Sequence, residues 1–478
     1  MNHRFPLTIA GEEIPGEAEV EAFSILDGSK LGGYTRAGSA ALPLFLDCAA
    51  AAFLRARALH PAERAKLLSA AAARLRVESD GLADLLCRET GKPIALALGE
   101  IKSATGLLQA GAKECVRQRN IIEPMFVPVG SLQRMNMIRR FPRGVVLSAV
   151  PFTNPVSLCA HQLAAAAAAG TVVVQRPPTG AALSVLRFAD IVGDAMGEIR
   201  WFSVLPMDYD LFYAAIDDPR VAMLSYFGSK RMASKIAERA GNKHVSMNIF
   251  GDAAAIVMPD CDVKYAAGAI ARGAFAGAGQ SCFAIENVLV HDRIYPQFRQ
   301  RMVDAVELDV KAGDPLDPGT LVGPMTYKNE AERLADWISR AKSAGARVVA
   351  GGDCEGALFQ PTLIEDLPQD FIAANPRPMG PVAVMHSVDS LDAAVKFMHA
   401  TGSDFIAALF SRDQEDGLYL LENLNAGTII MNEYPLEIEE GVQYRSASAA
   451  RSGLAGLRWA VEEMTAPRDM LFNNYWGA

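Results

Sequence analysis

"GVVLSAVPFTNPVSLCAHQLAAAAAAGTVVVQ" (residues 144–175) changes rhythm twice. Residues 144–150 are a continuous apolar run of strand length, residues 155–170 read as a helix closed by Gly170, and residues 171–175 are a second apolar strand. Strand, helix and strand in immediate succession make a βαβ unit. The strand-then-helix pattern returns where "VAMLSYFGS" (221–229) runs into "KRMASKIAERAG" (230–241), so the spacing predicts a parallel, doubly wound sheet. The alanine tract Ala164–Ala169, flanked by Leu163 and Val172, predicts close helix packing rather than disorder.

Outward from this unit, Pro61 to Glu100 reads as helices, with apolar residues recurring at three and four and a stop at Gly91 and Pro93. "GLLQAGAKECVRQ" (106–118) predicts a further helix, and residues 124–141 alternate around Gly130 and Ser131 as a hairpin does. A second α/β region opens near residue 252. "AAAIVMP" (253–259) predicts a strand, "DVKYAAGAIARGAFAGA" (262–278) a helix and "NVLVHD" (287–292) a strand; "NEAERLADWISRAKSAGARVVAGG" (329–352) predicts a long helix leading into a strand.

The 478 residues exceed what one ordinary core holds, so at least two domains are expected. A formal net charge of −9 with no run of lysine or arginine argues against nucleic-acid binding. The seven cysteines are odd in number and form no close CxxC pair, which suggests neither a disulfide framework nor a zinc or other metal site, and fits a reducing cytoplasm. The first residues lack a basic patch followed by an apolar core, and no apolar stretch is long enough to cross a membrane; a soluble, unexported protein is expected.

Nine segments in this order resemble the aldehyde dehydrogenase superfamily: "RETGKP" (88–93), "PRGVVLSAVPFTNP" (142–155), "GSKRMASKIAERAG" (228–241), "GAGQSC" (277–282), "LVGPM" (321–325), "FQPTLIEDL" (359–367), "GPV" (380–382), "GTIIMN" (427–432) and "GLRWAVEEMT" (456–465). The resemblance implies a Rossmann-type cofactor domain (1–123 and 142–250), an α/β catalytic domain (251–435) and a small β oligomerisation arm (124–141 and 466–478, including the strand "DMLFNNYW"). It also implies a homodimer or homotetramer, with no nucleic-acid or membrane partner. Its reaction is thiolate addition to an aldehyde, hydride departure to NADP or NAD, and attack on the resulting thioester.

Carried over residue by residue, the resemblance makes Cys282 the nucleophile, with Gly277 and Gly279 letting the backbone approach the reacting carbon. Asn154 of "PFTNP" is the oxyanion donor together with the Cys282 backbone N–H, and Phe152 of the same segment belongs to the cofactor site. On the residues alone, Cys282 also reads as a buried inert thiol and Asn154 as a turn-former. Gly228 and Ser229 are kept at the pyrophosphate turn, where a helix N-terminus offers free N–H groups, but Ala233 replaces a usual second glycine.

Four further departures concern the cofactor and the base. Arg176 stands where a ribose-binding lysine is usual and Thr179 where NAD-preferring relatives carry a glutamate; without that carboxylate an arginine fork suits a 2′-phosphate, which favours NADP, the alternative being a solvated Arg176. Asn248 in "MNIFG" replaces the general-base glutamate, so hydrolysis of a thioester is expected to be slow. Arg377 in "NPRPMGPV" reverses the charge of a glutamate that holds the nicotinamide ribose. Glu286 is a weak candidate for a substitute base, His161 and His244 suit core or surface roles, and "EIEEGVQYRSASAARSG" (437–453) departs from the usual substrate-loop pattern. Three readings follow: an NAD(P)-dependent aldehyde dehydrogenase; a relative that passes the acyl group to coenzyme A or runs as an acyl reductase; or a degenerate member without redox activity.

Overall fold

The computed structural model describes residues 3–9, 12–117, 121–124, 134–197, 199–249, 253–403, 405–434 and 456–473. The opening βαβ unit is the centre of a five-stranded, wholly parallel sheet. Its strands lie in the order Phe202–Val204, Val173–Arg176, Val145–Ala149, Val221–Gly228 and His244–Ile249. All five residues of Val145–Ala149 are buried, as expected for a central parallel strand covered on both faces.

Helix Pro155–Ala169 is buried at every position, because the sheet lies on one side and helices Pro61–Val77 and Ile94–Val116 on the other. Its alanines allow that. A Cβ added at Gly111 would meet the Ala164 side chain at 2.7 Å, so the two helices touch through their smallest residues. The chain leaves Val145–Ala149 in one direction along the sheet and resumes on the other side at Val221–Gly228. The strand order therefore reverses between them, and the loops after these strands line the crevice where doubly wound sheets bind ligands.

A second sheet has seven strands, in the order Arg347–Ala350, Thr362–Glu365, Val382–Val388, Ile285–His291, Ala253–Val257, Ile406–Phe410 and Thr428–Met431. Only the edge strand Arg347–Ala350 is antiparallel. It has cores of its own on its two faces. Cys282 lies in the loop entering this sheet, yet its side chain packs into the core of the first. The cysteine thus sits where the two sheets meet.

A small antiparallel sheet joins Ile121–Pro124, Arg134–Pro142 and Thr465–Asn473, with Thr465 opposite Pro142 and Ile121 opposite Ile138. The expected turn at Gly130 and Ser131 lies outside the described residues, as does the end of the expected C-terminal strand after residue 473. Two features differ from expectation. Residues 94–116 form one continuous helix rather than a break followed by a helix at 106, since Gly106 and Gly111 lie within its length and packing on Pro155–Ala169 sustains it. The N-terminal residues form an unexpected sheet of His3–Phe5, Lys30–Arg36 and Ala18–Phe23. Among the described residues no helix is long and apolar enough to cross a membrane.

Candidate active site

The approach to Cys282 is unusual backbone. Gly277, Ala278 and Gly279 all adopt the left-handed conformation, with φ of 62°, 58° and 60°, which costs Ala278 about 1–2 kcal/mol. The surroundings hold it there. Gly277 N donates to Leu321 O at 2.9 Å and Thr326 N to Gln280 Oε1 at 3.1 Å. A Cβ at Gly279 would overlap the Gly380 carbonyl. The distant segments "LVGPM" and "GPV" are therefore the clamps of the cysteine loop.

Burial pushes the Cys282 thiol up to about 12, against the opposing pull of hydrogen bonds from its own backbone and Ser281 and of the Lys92 charge. Acidity does not single it out, since burial lifts Cys87 to about 12 as well. Lys92, whose charge is the smallest of the effects on this thiol, donates to Asn154 Oδ1 at 2.8 Å, to Thr153 O at 2.6 Å and to the carboxylate of Glu100.

Asn154 stands at the head of helix Pro155–Ala169 but makes no capping bond. Glu100 takes that role, accepting from Val156 N at 2.7 Å and Ser157 N at 3.2 Å, where a carboxylate also complements the helix dipole. Lys92 and Glu100 were not among the residues expected from the sequence; the "RETGKP" match (88–93) held Lys92 without saying where the lysine reaches, and Glu100 lies outside it. The same segment anchors a second helix. Glu89 accepts from Leu183 N and Ser184 N at 2.8 Å and from Ser184 Oγ at 2.6 Å, capping Ala182–Met196. Burial raises the Glu89 carboxyl against those three bonds.

On the crevice side Arg176 is not solvated. It is 6 % exposed, its guanidinium lies 3.9 Å from the Tyr209 ring centroid, and its Nε is buried without a partner among the described residues. Thr179 opens a short 3₁₀ turn and is exposed. Phe152 meets Tyr327 edge-on at 5.4 Å. Gly228 ends its strand with φ 152°, Ser229 precedes helix Lys230–Ala240 with no side-chain cap, and Ala233 is buried in its first turns. An uncapped helix start and a buried arginine with an unpartnered Nε are both groups suited to a phosphate.

Asn248 is buried at the end of its strand. Its Nδ2 lies 3.5 Å from Ser246 Oγ, which donates to the Glu463 carboxylate, and its Oδ1 has no partner among the described residues. Arg377 is 5 % exposed and pairs with Glu286 at 2.7 Å, also donating to Gly380 O at 2.9 Å. The Arg377 charge is thus balanced by Glu286, which is occupied as an ion-pair partner. His161 is buried against the Phe227 ring. Burial lowers the pKa of the His244 imidazole, with help from the Arg143 charge. Phe250 and residues 437–453 lie outside the described residues. Among the described residues, no group of three or more His, Cys, Asp or Glu side chains is placed to hold a metal ion.

The model of the aldehyde dehydrogenase family matches residues 14–469. This chain belongs to that family. It is 30 % identical over 414 residues to the 3-sulfolactaldehyde dehydrogenase of Priestia megaterium, covering 86 % of this chain and 87 % of that one. Among solved structures it resembles aldehyde dehydrogenase 21 of Physcomitrella patens, crystallised with its reaction product succinate, at TM-score 0.93 and 26 % identity over the whole of both chains. The NADP-dependent glyceraldehyde-3-phosphate dehydrogenase of Bacillus halodurans shares the fold, with TM-score 0.94 at 24 % identity over 99 % of this chain and 100 % of that one.

Proposed function

We propose that the protein oxidises an aldehyde with NADP or NAD as acceptor, through a thiohemiacetal and then a thioester on Cys282. The observation that supports this reading most is that Lys92 donates to Asn154 Oδ1 while its charge is felt at the Cys282 thiol, so the expected oxyanion donor and nucleophile lie within the field of one cation. Cys282 adds as thiolate to the carbonyl carbon, and the oxygen, as it gains charge, accepts N–H bonds from Asn154 Nδ2 and the Cys282 backbone. A nicotinamide cofactor bound there would supply the hydride acceptor for this carbon. Arg176, Ser229 and the helix start at Lys230 would hold its phosphates, and the uncharged Thr179 beside Arg176 favours NADP.

The thioester then waits on Cys282 for an acceptor. An amide at 248 cannot take a proton from water, and a positioned base is worth about 10²–10⁴-fold. The same residue favours a second reading, in which a thiol such as coenzyme A receives the acyl group, because a thiol is a sufficient nucleophile without that base. The small sheet of 121–124, 134–142 and 465–473 is assigned to subunit contact, on the exposed Ile121, Ile122, Met470 and Leu471, and the reducing cytoplasm suits a reactive thiol. The sulfonated and dicarboxylate compounds in the relatives' names make anionic aldehydes the first substrates to assay.

Calorimetric titration with NADP and NAD, followed by intact-mass analysis after adding aldehyde, tests the proposal. Micromolar cofactor binding and an acyl adduct on Cys282 are expected. No binding at millimolar cofactor would overturn it and leave the reading of a non-redox family member.

A further inference from the structure

The Lys92 ammonium has three N–H bonds to give and no lone pair with which to accept. All three face acceptors: a Glu100 carboxylate oxygen, Thr153 O and Asn154 Oδ1. An ammonium cannot rest 2.8 Å from an amide N–H₂, so the atom of Asn154 turned toward Lys92 must be its oxygen, and Nδ2 faces away. Glu100 contributes twice. It anchors the ammonium, and by accepting from Val156 N and Ser157 N it takes over the helix-capping role that the Asn154 side chain would otherwise fill.

We infer that Lys92 and Glu100 are positioning residues that set the direction of the Asn154 amide, so that its N–H₂ and not its carbonyl meets the oxyanion formed at Cys282. This rests on the reading of Cys282 as the nucleophile. Glu100 is 2 % exposed and Lys92 13 %, so the pair is shielded from water and its geometry is not averaged away. Without the ammonium, the bare Glu100 carboxylate becomes the strongest acceptor near Asn154. The amide then turns N–H₂ toward it, and the donor to the oxyanion is lost.

Two reactions of Cys282 that need no cofactor separate this role from general damage. Acylation by 4-nitrophenyl acetate passes through an oxyanion: the thiolate adds to the carbonyl, the C–O bond breaks, nitrophenolate leaves and the acetyl group stays on sulfur. Alkylation by iodoacetamide is a direct displacement of iodide with no oxyanion. Both scale with the thiolate fraction, so the ratio of their rates, measured from the nitrophenolate burst and from intact mass, cancels the effect of the Lys92 charge on the thiol.

In Lys92→Met that ratio is expected to fall about 10²–10³-fold, the cost of an oxyanion donor. Asn154→Ala should show the same fall and the double variant no further loss, while Lys92→Arg, which keeps donors, should stay within about tenfold of wild type. A ratio within about threefold of wild type in Lys92→Met, or full additivity with Asn154→Ala, would overturn the inference. Should Lys92→Met fail to fold, Glu100→Gln keeps the shape but has one acceptor oxygen for the ammonium and the two backbone N–H groups together, so it loses either the anchor or the cap that frees Asn154; it must depress acylation selectively, and an unchanged ratio there overturns the inference equally. Wild-type protein that is alkylated but never acylated at Cys282 removes the nucleophile reading and this inference with it, whereas normal acylation in wild type and variants removes the inference alone.

Discussion

The reactivity of Cys282 toward iodoacetamide should rise continuously from pH 7 to 10, without a plateau. Burial holds the thiol near 12, so at pH 7.5 only about 3 × 10⁻⁵ of it is thiolate, against roughly a tenth for an ordinary cysteine of pKa about 8.5. That is a deficit of about three thousandfold. A thiolate of higher basicity is a better nucleophile, and a Brønsted slope of about 0.45 over that difference returns roughly fortyfold. The net expectation is alkylation about two orders of magnitude slower than that of an exposed thiol, rising close to tenfold per pH unit because the ionised fraction does. The assay is peptide-resolved mass spectrometry over a pH series, with a short unstructured cysteine peptide added as the reference, because burial and Glu332 raise the exposed Cys354. A plateau with a midpoint below pH 8 would refute the reasoning, since it would require a ground-state partner for the sulfur stronger than Lys92, Ser281 and the backbone together. A steep rise would mean that the thiolate forms only when substrate or cofactor changes the surroundings of Cys282.

Asn248→Glu should speed deacylation by water about 10²–10⁴-fold, and the gain should appear only as pH climbs past neutrality. The new carboxylate would be buried and close to Glu463, and both effects raise its pKa; single-turnover deacylation that stays at the wild-type rate at every pH would show that residue 248 does not face the thioester. Arg176→Ala should weaken NADP binding about ten- to a hundredfold, the value of hydrogen bonds to a charged group, with little effect on NAD; an unchanged ratio of the two calorimetric affinities counts against a phosphate grip. Gly279→Ala should destabilise the fold by at least about 1–3 kcal/mol, for its φ of 60° and its clash with Gly380, and an unaltered thermal melt would contradict the close approach.

The βαβ unit was legible because its information is local. Continuous apolar runs, a helical stretch and a closing Gly170 lie within one short segment, and Gly170 does adopt the left-handed cap conformation. The "GAGQSC" segment was legible for a similar reason, as three successive left-handed residues need little or no side chain. Contacts across the chain were not. Lys92 and Asn154 are 62 residues apart and Ser246 and Glu463 217 apart, and periodicity carries no term for such pairs. Arg377 was visible as a departure and Glu286 as a candidate base. Neither residue type nor spacing said that one neutralises the other.

The sequence by itself determined the element types, their order and hence the family, because period and punctuation act within a turn or two of chain. It also determined which chemical groups are present, including a thiol at 282 and an amide rather than a carboxylate at 248. Only the tertiary structure decided what those groups are in their surroundings: a thiol held near 12 by burial, a buried arginine lying on Tyr209, and an asparagine whose amide direction is dictated by a lysine from another helix junction. The physical reason is that desolvation and hydrogen-bond direction depend on which atoms the whole fold brings within a few ångströms, and those neighbours come from every part of the chain.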